Sequence, residues 1–150
     1  MRTLVIAGLM VGALSSAAPA HAQTTVMPNA APENVTERLR SHLANQGFVL
    51  ERSDLGGTLF TLDRGMVAQN AAPFRGTLVP IVLELHFRYK QVKSGLQVKA
   101  REEVVGHRGK SLEFRRPVQS QAELGNLQRL LDRVGQELAA ADTTSRPESK

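Results

Sequence analysis

Ten consecutive residues constrain the fold more than any other stretch of the chain. Ile81, Leu83, Leu85, Phe87 and Tyr89 alternate with Val82, Glu84, His86, Arg88 and Lys90. Apolar side chains at period two specify a strand with one buried and one solvated face. Pro80 lacks an amide proton, which places it at the strand entry or on an edge. Ser94-Gly95 signals a turn, and Leu96 to Val105 reads as the partner strand. Leu96, Val98, Ala100 and Val104 then share one face, and Gln97, Lys99, Arg101 and Glu103 the other. With Ser94-Gly95 as the central turn residues, Lys90 faces Lys99 and Arg88 faces Arg101. A loop two residues longer puts Lys90 opposite Gln97, Arg88 opposite Lys99 and His86 opposite Arg101. Both registers keep the same side chains outward, because only a one-residue slip exchanges the faces.

The flanking segments supply the rest of a domain. Phe48 to Arg52 is a short strand, Gly56-Gly57 a turn, Thr58 to Ala68 a second strand and Gln69 to Gly76 a loop. Asn34 to Gln46 reads as a helix, with Asn34 and Glu37 as a capping box and Gly47 as its left-handed stop. Its face carries Val35, Leu39, His42, Leu43 and Gln46. Ser120 and Glu123 form a second capping box. Behind it Leu124, Leu127, Leu131, Val134 and Leu138 make one apolar stripe. Gly125 and Gly135 lie off that stripe and weaken the helix by roughly 1 kcal/mol each relative to alanine. It therefore needs tertiary packing, with Leu131 expected against the sheet near Leu85 and Phe87.

The expected fold is a two-layer α+β domain over residues 34–140: a four-stranded antiparallel sheet with the N- and C-terminal helices packed on one face. Residues 23–33 read as a flexible leader and 141–150 as a disordered tail. The order helix, four strands, helix resembles the helix-grip type of module in bacterial envelope proteins such as the outer-membrane-assembly lipoprotein BamC. The resemblance rests on element order over roughly 34–140, and this chain lacks the lipid-attachment cysteine of that lipoprotein.

Residues 1–22 carry an address. Arg2 precedes the apolar run Leu4 to Leu14, and Ala20-His21-Ala22 closes a small-residue stretch. This is the pattern of a cleavable signal peptide cut after Ala22, and its apolar run is short of the about 20 residues that span a bilayer. The mature chain is then not membrane-spanning, and its expected compartment is the periplasm. Of 150 residues, 128 remain after cleavage, one domain's worth. With no cysteine, that domain must hold together by packing alone.

Chemistry finds little support in the residues. The absent cysteine removes thiol nucleophiles and thiolate metal sites, and no Gly-x-Ser-x-Gly elbow is present. Gly56-Gly57 and Gly106-His107-Arg108-Gly109 lack phosphate-loop or dinucleotide spacing. His42, His86 and His107 share no helical spacing; His86 is placed to meet Glu103 across the hairpin, as a surface contact. No catalytic, cofactor or metal residue is expected, and the chain is read as a non-enzyme. With no tryptophan and one tyrosine, aromatic stacking surfaces are not expected, and an exported chain is not expected to meet nucleic acid.

Charge is the remaining signal. Residues 86–116 hold nine basic and three acidic residues, a local net of +6 within a chain of net +5. Arg88, Lys90, Lys99 and Arg101 fall on the outward face of one hairpin. Like charges side by side on a sheet cost stability, so their gathering suits an anionic partner: lipid headgroups, lipopolysaccharide phosphates or an acidic patch on an envelope protein. The expected function is a non-catalytic periplasmic domain binding such a partner. The alternative is a small carrier holding an apolar or amphiphilic ligand between helices and sheet. Solubility and edge protection by lysine are the competing structural reason for the same charges.

Overall fold

The computed structural model describes residues 22–70 and 72–144. The segment read as a signal peptide, apart from Ala22, and the end of the expected tail lie outside the described residues. In chain order the elements are β1 (Gln23–Met27), α1 (Pro32–Ala44), β2 (Val49–Asp54), β3 (Gly57–Ala68), β4 (Leu78–Val92), β5 (Gly95–Gly106), β6 (Phe114–Pro117) and α2 (Gln121–Thr144). The fold is α+β, but the antiparallel sheet has six strands where four were expected.

The four expected strands form the ladder β5-β4-β3-β2, and the two extra ones share the outer edge of β5. β1 pairs with its first half, from Met27↔Leu96 to Gln23↔Ala100. β6 pairs with its second half, from Glu103↔Pro117 to Gly106↔Phe114. No strand residue faces Arg101 or Glu102 at the seam between them, although the Val118 N–H donates to the Glu102 carbonyl at 3.0 Å. β1 comes from the segment read as a flexible leader. Only Met27 of its five residues is buried, so no alternating pattern announces it. Bare edge amides on β5 and a seat for Met27 make it a strand. Its close approach is visible at Gly95, where an added Cβ would lie 2.4 Å from the Met27 carbonyl oxygen.

The hairpin takes the second of the two registers, with Arg88 opposite Lys99, Lys90 opposite Gln97 and His86 opposite Arg101. Val92 pairs with Gly95, so the turn is Lys93-Ser94 rather than Ser94-Gly95: it stays two residues long and sits one residue earlier, and the longer loop expected for this register does not form. Gly95, at φ +139°, opens β5 in a backbone conformation that side chains disfavour.

Helix α1 starts two residues before the expected cap. Pro32 occupies the first turn, where its missing N–H is no loss, and Ala31 makes no side-chain cap. Gly47 is left-handed as expected, at φ +85°. Ser120 caps α2, its Oγ accepting from the Glu123 N–H at 3.5 Å, and the helix runs four residues into the expected tail. Val35, Leu39 and Leu43 of α1, Leu127, Leu131 and Val134 of α2, and Leu85, Phe87, Tyr89, Val98 and Ala100 of the sheet's inner face belong to one buried cluster. Phe60 and Phe87 meet edge to face at 5.9 Å inside it. The buried Tyr89 hydroxyl joins the layers, sharing hydrogen bonds with Thr36 of α1 (3.1 Å) and Thr58 of β3 (3.0 Å).

Candidate binding surface

Alternation puts Glu84, His86, Arg88 and Lys90 of β4 on the face opposite the core, beside Lys99, Arg101 and Glu103 of β5. Arg88, Lys90 and Lys99 are exposed, and none of their side chains makes an ion pair or hydrogen bond with another described residue. Arg88 and Lys99 are directly opposed across the hairpin. On the other flank of Arg88 stands Gly57, beside a groove of about 350 Å³ bordered by Arg52, Asp54, His86 and Arg88.

Arg101 departs from the other three. It turns along its strand to Glu103, at 3.4 Å, and its buried Nε has no hydrogen-bond partner among the described residues. The expected four-residue surface is therefore three free cations and one committed one.

Arg101 belongs to a second feature of this face, which the sequence reading missed. Glu84 stands at an outward, polar position, yet it is 1% exposed. Arg108 Nε donates to its Oε1 at 2.6 Å and Arg115 Nη1 to its Oε2 at 2.7 Å. His86 Nε2 lies 2.9 Å from the same Oε2. Arg108 also reaches Glu51 at 2.7 Å, and Arg115 reaches Glu113 at 2.8 Å and Glu103 at 3.3 Å. Burial pushes the Glu84 carboxyl up, but hydrogen bonds from Arg115 and Arg108, reinforced by their charge, hold it below the usual carboxylate range. His86 goes down: burial disfavours its charged form, the Glu84 hydrogen bond opposes this, and Arg101 adds to it.

Glu84, His86 and Glu103 bring their ligand atoms within 4.8 Å of one another. Each of the four carboxylate oxygens already faces a guanidinium: Arg108 and Arg115 on Glu84, Arg101 and Arg115 on Glu103. This donor set suits an ion-pair network, which ties the 107–113 loop and β6 to the sheet.

The core side of the sheet holds a further carboxylate. Parity along β5 carries Leu96, Val98 and Ala100 inward, and the next inward residue is Glu102, opposite Leu85. Its side chain has no hydrogen bond or ion pair among the described residues. Burial raises its carboxyl, and the like charge of Glu123 raises it further. Glu102 lines a cleft of about 370 Å³ between the helices and the sheet, with Leu43, Phe48, Leu85, Leu127 and Leu130 as its apolar wall. Glu123, Arg129 and Arg133 of α2 complete its charged lining. The signal for Glu102 is present in the sequence: counting by twos from Leu96 lands on it before Val104. Comparison with protein family models, curated proteins and solved structures finds no match to this chain.

Proposed function

We propose that this protein is a non-catalytic module of the bacterial envelope that seats an anionic lipid or lipopolysaccharide surface on Arg88, Lys90 and Lys99. One observation carries the reading. The same sheet face neutralises its arginines at Glu84 with acids of its own, yet leaves three neighbouring cations without any among the described residues. The directly opposed Arg88 and Lys99 cost the fold stability, a cost that a bound anion removes. Export through residues 1–22 puts such surfaces within reach. Each basic residue near an anionic membrane contributes about 1 kcal/mol. The attraction falls with salt, because the Debye length is about 8 Å at physiological ionic strength.

Co-sedimentation with anionic and neutral liposomes, at low and high salt, tests this. Wild type is expected on the anionic vesicles at low salt, and Lys90→Ser/Lys99→Ser is expected to bind roughly 30-fold more weakly, from the loss of about 2 kcal/mol. Equal binding to both vesicle types, or an unaffected double variant, removes the lipid-surface reading and leaves an acidic protein patch as the partner to seek.

A second reading, a small carrier, is favoured by the cleft between helices and sheet. Its size lies within the 300–1,000 Å³ usual for ligand sites.

A further inference from the structure

Glu102, like Glu84 and Glu103, is an acidic residue that the sheet draws partly out of water, but the fold treats Glu102 and Glu84 oppositely. Glu84 is met by two guanidiniums. Glu102, half-buried, is met by no cation or hydrogen-bond donor among the described residues, and the charge that acts on it is that of Glu123, of the same sign. An unpaired carboxylate in a partly desolvated position is costly, and substitution by a neutral residue would relieve the fold. The cost has a purpose if the missing partner is a ligand cation. Beside Glu102 are the apolar side chains of Leu85, Leu127 and Leu130. On α2 the exposed Arg133 makes no ion pair with any described residue. The cleft thus offers an acid for a cation, an apolar wall for a chain and an arginine for an anion.

We propose that this cleft binds a single-chain zwitterionic amphiphile, its ammonium on Glu102 and Glu123, its anionic group on Arg133 and its chain on the leucine wall. The proposal rests on the carrier reading and names the chemistry of its ligand. A primary ammonium suits Glu102 because it donates hydrogen bonds as well as charge.

The test uses lauroyl-lysophosphatidylethanolamine below its aggregation threshold, followed by amide chemical shifts and by titration calorimetry. Lauroyl-lysophosphatidylglycerol keeps the chain and phosphate without the ammonium; phosphoethanolamine keeps the headgroup without the chain. Wild type is expected to bind the first at least tenfold more tightly than either control, with shifts centred on Phe48, Leu85 and Leu127. Glu102→Gln is expected to lose that tenfold preference while melting no lower than wild type, which separates the site from the fold. Lys90→Ser/Lys99→Ser is expected to bind the probe as wild type does, which separates the cleft from the basic face. Equal binding of the glycerol lipid, or an unaffected Glu102→Gln, overturns the ammonium assignment and leaves an apolar cleft. Equal binding of phosphoethanolamine overturns the chain assignment. Failure of every lauroyl probe to bind overturns the carrier reading with it.

Discussion

Glu84 and Lys90 occupy the same face of the same strand, and the sequence gives both the same outward direction. Their environments differ because the cover over Glu84 comes from Arg108 and Arg115, in a loop and a four-residue strand without any apolar period. Periodicity reports which way a side chain points; it is silent about what an irregular segment lays over it. Glu102 shows the converse. Its inward direction follows from parity, but an acidic residue looks like a break in an apolar pattern rather than a member of it. Glu84→Gln should destabilise the protein by about 2 kcal/mol, since two charge-assisted hydrogen bonds are weakened while both arginines remain half in water. Lys90→Gln should stay within about 0.5 kcal/mol of wild type, as expected away from such contacts. Urea titration of the two variants checks this, and equal midpoints would show that the Glu84 network adds nothing.

At the scale of elements, helix α2 was legible because its cap and its stripe are both local in sequence. The β4–β5 hairpin was legible in direction, and the position of its two-residue turn decided between two registers. β1 and β6 were not legible, because each is defined by the edge that it completes. Met27 is the one residue of β1 with a core role, 1% exposed and 3.6 Å from where a Cβ on Gly135 of α2 would stand. Met27→Ala should cost about 2–5 kcal/mol, the range for buried large-to-small changes. A loss under about 0.5 kcal/mol by thermal or urea unfolding would mean that β1 is not docked beneath α2.

For the molecule as a whole, the acid response has four shifted groups: the exposed Glu113, lowered by the Gly109 N–H and by Arg115, and three on the sheet. His86 is depressed in the folded state, chiefly by burial, so its share of stability is present above the ordinary histidine pKa of about 6.5 and is lost on acidification below it. Glu84, held low against its burial by two arginines, adds a second loss below the ordinary carboxylate range. Glu102 works the other way: raised by burial and by Glu123, it binds its proton more readily folded than unfolded, and it favours the fold as pH falls. With the opposing carboxyl removed by Glu102→Gln, urea midpoints should therefore fall from pH 7 toward pH 5.5. Adding His86→Gln should flatten that limb, and a midpoint that rises over it in the Glu102→Gln variant would reverse the assignment. No helix among the described residues is long and apolar enough to cross a membrane.

The divided outer edge of β5 also has a consequence in time. β2 to β5 follow one another as antiparallel neighbours, so their contacts close comparatively short loops. β1 reaches β5 only after everything between Met27 and Leu96 has been gathered, at a larger entropic cost. β1 should then dock late, and Met27→Ala should speed unfolding while leaving the folding rate almost unchanged. Until β1 and β6 arrive, Leu96 to Gly106 presents a long row of open amides and carbonyls. That row is where two half-folded copies would join, and the two short strands at its edge are what keep the finished molecule from doing so.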